Sequence, residues 1–331
     1  MRSHKFLLSA AAALIMIAAA AVGAMFAFKD DQEETKTLPG YEDSYDSESD
    51  DEEWDSTIVE NGVRYRLDPD IETVLFLGVD DGGEKSELIA GSGGRADTIL
   101  LLILDDSKKS MKVLSVSRDT MAEVDAYKTD GSYSYSSLTH INMQYAYGDS
   151  PTRSAYLMKK TVSKLLYGIR IDGFFSLTAK GIRKAVDLMG GLEITMPDDY
   201  TEIDPRYEKG AKLKLSGEDT ERLLRFRDIT VAGSNESRVE RHLKLIDSVF
   251  TGLGGRIGGK NLKKLMDLAG DEAATDLDAE TLKKLSDYSL EERMYTLPGS
   301  VVEGEDHDEF HVDEEALRKL ITGLYYRPEE E

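Results

Sequence analysis

Cysteine is absent from the chain. This excludes thiol catalysis, a disulfide framework, and zinc or iron–sulfur sites ligated by cysteine. It does not fix the compartment, since exported proteins need not carry disulfides. Basic residues are scarce: 41 lysines plus arginines stand against 64 aspartates plus glutamates in 331 residues, a formal charge of −23. That balance argues against a broad basic surface for nucleic acid or anionic lipid. No Gly-x-Ser-x-Gly element occurs, so a Ser–His–Asp site has no anchor, and there is no internal repeat. What is present suffices for a sizeable core, with 40% apolar and 32% charged residues. The length fits one large or two ordinary domains.

The negative charge is unevenly spread, because residues 29–60 hold fourteen acids and two lysines. Before them, Phe6 to Phe28 form 23 residues without a charge. As a helix these span ~34 Å, enough to cross a hydrocarbon core of ~30 Å. Arg2, His4 and Lys5 precede the span, and Asp30, Asp31, Glu33 and Glu34 follow it. The positive-inside rule then predicts a single-pass protein of the cell membrane, its N-terminus cytoplasmic and the rest extracellular. A cleaved signal peptide is the alternative, with an unusually long apolar region. The acidic stretch reads as a solvated tether, with Trp54 either exposed or touching the bilayer surface. The expected organisation is a tip and anchor at 1–28, an acidic extracellular linker at 29–70, a main domain at 71–253, and an extension at 254–331. That extension is either packed on the main domain or separate from it.

TVLFLGVD (73–80), ADTILLLILDD (96–106) and KSMKVLSVSRDT (109–120) are apolar runs that predict strands. Helical patterns follow at 151–167, where Pro151 marks a start, and at 178–189. IDGFFSL (171–177) and LEITMP (192–197) predict further strands, and 218–227 and 237–253 further helices. After GGRIGGK (254–260) come helices at 261–269 and 278–287, short strands near 293–303 and 309–312, and a last helix at 313–325. Strands alternating with helices predict an α/β sandwich around a mixed sheet.

Charged groups cluster at strand ends. Asp80 closes the first strand, Arg95 and Asp97 open the second, and Arg118 and Asp119 close the third. Ligands of open α/β sheets sit at such an edge. Carboxylates there suit Mg²⁺, which takes one or two protein carboxylates plus phosphate oxygens. Arginine's planar fork suits phosphate, and Arg225, Arg227, Arg238 and Arg241 add more guanidiniums. The pattern fits a pyrophosphate clamp with a divalent ion; ordinary surface salt bridges are the alternative. Two weaker signals are set aside. GGRIGGKN (254–261) has Asn261 where a phosphate-binding loop needs Ser or Thr, and it follows a helix rather than a strand. His307 and His311 are spaced for a metal only if they share a helix, and their acidic, glycine-containing surroundings suggest a turn.

GVD, GGRADT, LSVSRDT, INMQYAYGD, DLMGGLEITMP, LSGEDTERLLRFR and SRVERH occur in that order, and together they resemble the LytR–CpsA–Psr family. The likeness covers roughly residues 72–250, and the tail 291–325 is also similar. The resemblance implies an α-β-α sandwich with a central mixed sheet and an apolar lipid-binding cavity. It implies a membrane-anchored, Mg²⁺-assisted phosphotransferase that moves a glycopolymer from polyprenyl pyrophosphate to peptidoglycan, with no nucleic-acid partner. Teichoic acids and capsular polysaccharides are the implied donors. Asp80 and Asp97 match the metal-organising carboxylates, and Arg95, Arg118, Arg225, Arg227 and Arg238 match the pyrophosphate-binding arginines. His140 stands where the family often has lysine, and His242 where it usually has glutamine; both are candidate phosphate contacts. Asn235 beside Glu236 replaces an aspartate, which makes Glu236 the candidate catalytic carboxylate together with Arg118 and Asp97. A polyprenyl-pyrophosphate hydrolase and a non-catalytic lipid-carrier binder are the two other readings.

Overall fold

The computed structural model of the chain describes residues 57–60, 62–80, 91, 94–188, 190–225, 272–277, 288–304 and 307–329. The apolar span 6–28, most of the acidic tether and the expected helices at 237–253, 261–269 and 278–287 lie outside the described residues. Among the described residues no helix is long and apolar enough to cross a membrane.

The chain opens with a hairpin of β1 (Thr57–Glu60) and β2 (Val63–Leu67). Three strands follow: β3 (Ile71–Asp80), β4 (Arg95–Asp105) and β5 (Ser110–Val116). A second hairpin, β6 (Met121–Tyr127) and β7 (Tyr133–His140), leads through a 3-10 helix (Ile141–Tyr147) into α1 (Pro151–Leu165). β8 (Gly173–Thr178) runs directly into α2 (Ala179–Leu188). β9 (Leu192–Thr195) pairs with β10 (Lys212–Leu215), and α3 (Gly217–Arg225) follows. The C-terminal part adds β11 (Ala273–Thr275), β12 (Ser289–Thr296), a hairpin of β13 (Gly299–Val302) and β14 (Glu309–Val312), α4 (Glu314–Tyr325) and β15 (Tyr326–Pro328).

Six strands form the central sheet in the order β11-β8-β3-β4-β5-β12. β3 pairs parallel with β8 and β5 with β12, whereas β4 and β11 run the other way, so the sheet is mixed. Successive side chains of a strand point to opposite faces, and both faces here are covered. Val74, Phe76, Leu100, Leu102 and Val113 face Ile182 and Val186 of α2 and Leu223 of α3. Leu75, Leu77, Ile99, Leu101 and Leu114 face Met158 and Val162 of α1 and Leu317 and Ile321 of α4. This is a three-layer α-β-α sandwich. It explains why the strands read as unbroken apolar runs rather than alternating ones. Each fully buried large apolar side chain contributes ~1.5–3 kcal/mol.

The helices begin where their caps stand. Ser150 accepts a bond from the Arg153 amide at 3.2 Å ahead of Pro151, and Asp313 accepts one from the Ala316 amide at 3.0 Å. Glu314 and Glu315 in the first turn of α4 suit the positive end of its dipole.

One boundary differs from the sequence expectation. The first described strand lies at Thr57–Glu60, so the linker expected at 29–70 includes β1 and β2. Gly62 makes the turn between them at φ +80°, and Ile58, Tyr65 and Leu67 pack on the core face that holds α1 and α4. β15 then closes a three-stranded sheet on β2. Of the two arrangements expected for 254–331, its described residues take the packed one, since β11 and β12 are strands of the central sheet and α4 covers one of its faces. The Tyr167 hydroxyl donates to the Glu314 carboxylate at 2.6 Å and ties the end of α1 to the start of α4. Burial and that carboxylate push the Tyr167 phenol up to about 12.

If α4 belongs to the same cooperative unit as the sheet, Leu317→Ala is expected to lower the stability of the whole domain by ~2–5 kcal/mol. Chemical denaturation followed by circular dichroism should still show one transition. A second transition that alone moves would mean that the C-terminal part folds separately.

Candidate active site

β3, β5, β8 and β12 all point their carboxyl ends to one edge of the sheet, and β4 begins there. Asp80 and Arg95 stand directly opposite each other as the last rung of the β3–β4 ladder. The ladder slips just before that rung, with Gly78 opposite Thr98 but Val79 opposite Ala96, so Asp97 is the extra residue of a β-bulge. Bulges re-aim side chains and are frequent beside active sites. Gly78 is required here, because a Cβ at this position would lie 2.9 Å from the Thr98 Cβ.

Arg118 follows β5 in a turn closed by the Thr120 amide and the Ser117 carbonyl at 3.1 Å. Its Nη1 donates to Asp97 Oδ1 at 2.7 Å, and its Nε lies 3.3 Å from Asp119 Oδ1. The side chain keeps 28% of its surface exposed. A partly exposed pair of this kind is worth only ~0–1 kcal/mol of stability, so its consequence is orientation. Among the described residues, one of its five N–H donors bonds Asp97 and its Nε faces Asp119.

The Arg118 segment is held from two sides. The 3-10 helix donates its Ile141 amide to Thr120 O at 2.8 Å and its Asn142 amide to Arg118 O at 3.4 Å. From the C-terminal hairpin, the Phe310 amide donates to Asp119 O at 2.8 Å. His140 sits opposite Met121 at the base of the β6–β7 hairpin, beside this segment, and its ring centroid is 6.2 Å from that of His307. His311 lies on β14 and bonds Glu309 at 2.7 Å, so His307 and His311 do not share a helix. Thr120 and Asn142 are buried, and their side-chain oxygens have no partner among the described residues.

Of the residues singled out in the sequence, Asp80, Arg95, Asp97 and Arg118 therefore meet at one edge, with His140 beside them. Arg225 is the last residue of α3. Arg227, Glu236, Arg238 and His242 lie outside the described residues. Sequence reasoning missed the docking of Phe310 and His307 on this edge, since no local signal joins Asp119 to a residue so distant in the chain.

The donor set suits Mg²⁺. Among the described residues no three His, Asp or Glu side chains gather as a protein-only metal cage. Hard carboxylate oxygens at the open edge match an ion that takes one or two carboxylates and completes its shell with phosphate and water. A carboxylate has about four lone-pair sites, so Asp97 can hold Arg118 and a cation together.

Polyisoprenyl-teichoic acid–peptidoglycan teichoic acid transferase TagV of Bacillus subtilis is 26% identical over 211 residues, covering 62% of this chain and 49% of that protein. The transferase of the same description named TagU, from Enterococcus faecalis, is 26% identical over 65% of each chain. The match thus spans about half to two thirds of these relatives' length. The crystal structure of B. subtilis TagV superposes with a TM-score of 0.54 at 25% identity, over 78% of this chain and 97% of that one. A structure of TagT bound to LI-WTA gives 0.53 at 19% identity, over 77% and 90%. Residues 35–324 match the profile of the LytR_cpsA_psr family. With its α-β-α sandwich and the charged edge between β3, β4 and β5, the chain belongs to the LytR–CpsA–Psr family.

Proposed function

We propose that the protein is a phosphotransferase that moves a phosphate-linked glycopolymer from a polyprenyl-pyrophosphate carrier to peptidoglycan. The observation that carries this reading is the Arg118 guanidinium, fixed between Asp97 and Asp119 at an edge where Asp80 and Arg95 also end. The two similar transferases are named for teichoic acid, and a similar wall polymer such as a capsular polysaccharide would fit the same chemistry.

In this reading Arg118 and Arg95 bind non-bridging oxygens of the pyrophosphate and orient the sugar-linked phosphorus. Asp80 and Asp97 would hold Mg²⁺, which would supply neutralisation of the phosphate charge. Phosphoryl transfer asks little covalent chemistry of a protein beyond positioning and charge neutralisation. A hydroxyl of the acceptor sugar forms the new O–P bond, and the bond from phosphorus to the bridging oxygen breaks. Polyprenyl phosphate leaves with that oxygen. Glu236 takes the hydroxyl proton. Arg225, Arg227, Arg238, His140 and His242 complete the anion clamp. The polyprenyl chain would occupy the apolar cavity that the family resemblance implies, and the span 6–28 would anchor the chain in the cell membrane with the domain outside.

Release of polyprenyl phosphate from a polyprenyl-pyrophosphate saccharide, measured with the full-length protein in detergent, tests the reading. Release is expected to require peptidoglycan fragments. Arg118→Ala is expected to lower it by ~10²–10³-fold, the usual effect of losing one preorganised donor to developing charge. Arg118→Lys should lose about tenfold, because it keeps the charge and loses the fork. Release without acceptor would instead mean a hydrolase, and tight carrier binding without release a non-catalytic binder.

Chelation separates the metal's part. EDTA is expected to reduce release to background, Mg²⁺ to restore it, and Asp97→Asn to raise the Mg²⁺ concentration needed for half-maximal rate. Full activity in EDTA would remove Mg²⁺ from the account.

A further inference from the structure

We propose that Phe310 is a positioning residue for the reaction, whose backbone N–H, set in place by the β13–β14 hairpin, fixes the turn that aims Arg118. The inference rests on the transferase reading for what Arg118 does, and on the geometry alone for how Arg118 is held.

Arg118 and Asp119 are the two central residues of a β-turn from Ser117 to Thr120. The Asp119 amide also lies 3.3 Å from the Ser117 hydroxyl. The turn stands between strands, since β5 ends at Val116 and β6 begins at Met121. Asp119 is one of the two carboxylates that orient the Arg118 guanidinium. A rotation of the peptide between Asp119 and Thr120 would therefore change the aim of the arginine. The carbonyl of that peptide is the one that the Phe310 amide holds at 2.8 Å.

This hold is a strand contact. Thr120 and Phe310 form a parallel bridge. The N–H and C=O of one strand residue point to the same side. Phe310 thus turns both toward the Arg118 turn and neither toward Val301, its partner on β13.

The hairpin places that amide through local packing. The Phe310 ring joins the core face that holds α1 and α4. It rests on Gly299, where a Cβ would come within 2.8 Å of the ring and collide with the His311 carbonyl oxygen. Both feet of the hairpin are tied down. The Leu297 amide donates to Ser115 O at 3.2 Å, and the Asp313 amide to Pro298 O at 3.0 Å. At the far end His307 lies beside His140, a second point of contact with the edge that carries Arg118.

Two variants at one position isolate the N–H. Phe310→Ala removes the ring and keeps the donor, whereas Phe310→Pro removes both. Proline is tolerated in a strand where the N–H faces away from the ladder. In the full-length protein in detergent, Phe310→Pro is expected to release polyprenyl phosphate about tenfold more slowly in kcat than Phe310→Ala, with similar KM, because misplacing a positioned group costs rate. In an Arg118→Lys background the two should be nearly equal, since the fork whose aim is lost is already gone. Lost folding alone would lower the rate by the same factor in both backgrounds. An equal proline-to-alanine ratio in the two backgrounds, or no difference between the variants, overturns the proposal. Amide hydrogen exchange in the wild type needs no variant to fold. The Phe310 N–H is expected to be protected, and exchange at the rate of a free peptide overturns the proposal as well. Titration with inorganic pyrophosphate and Mg²⁺ by calorimetry reads the clamp without turnover. Weaker binding by Phe310→Pro than by Phe310→Ala, with no release by the wild type, removes the transferase alone. Release by the wild type with equal rates for the two variants removes the positioning role alone.

Discussion

A sheet buried on both faces leaves charged groups only one kind of place to stand. Odd positions of β3 press against α1 and α4, and even positions against α2 and α3. An unpaired polar side chain in the middle of these strands would cost ~2–7 kcal/mol. The chemistry is therefore confined to where the strands leave the core. Asp80, Arg95, Asp97 and Arg118 are the residues at that margin. The bulge at Asp97 follows from the same constraint, because it lets one carboxylate escape the alternation of the ladder while Ala96 remains buried.

The molecule is acidic, yet its site must receive an anion. At an effective dielectric constant of about 20, two charges 4 Å apart interact by ~4 kcal/mol. A few well-aimed cations therefore outweigh distant acids that salt screens beyond ~8 Å. Asp97 and Asp119 do not cancel Arg118 so much as aim it. Clamping of the same segment by the 3-10 helix and by Phe310 adds backbone rigidity to that aim.

The sequence made the strong elements legible and left the joints obscure. The runs at 73–80, 96–106 and 109–120 read as strands because both of their faces are apolar, and the structure places strands there. The Asn-Gly pair between TIVE and VRYRL in the sequence is a hairpin signal, hidden beside the acidic stretch that dominates the charge count. The β6–β7 hairpin escaped because β7 is exposed along most of its length and shows no burial pattern. At the site, the residues at strand ends could be picked by position. The grip of Phe310 on Asp119 could not, since it joins segments far apart in the chain. The expected helix at 237–253, with Arg238 and His242, lies beyond what the structure describes.

The central claim is that the bond broken lies between the sugar-linked phosphorus and the bridging oxygen of the pyrophosphate, not between sugar and phosphate. Mass spectrometry of the lipid released during acceptor-dependent turnover decides this most directly. The account predicts polyprenyl monophosphate, with one phosphate carried into the polymer–peptidoglycan linkage. Polyprenyl pyrophosphate as the released lipid would contradict it, because the sugar alone would then have moved and the protein would be a glycosyltransferase.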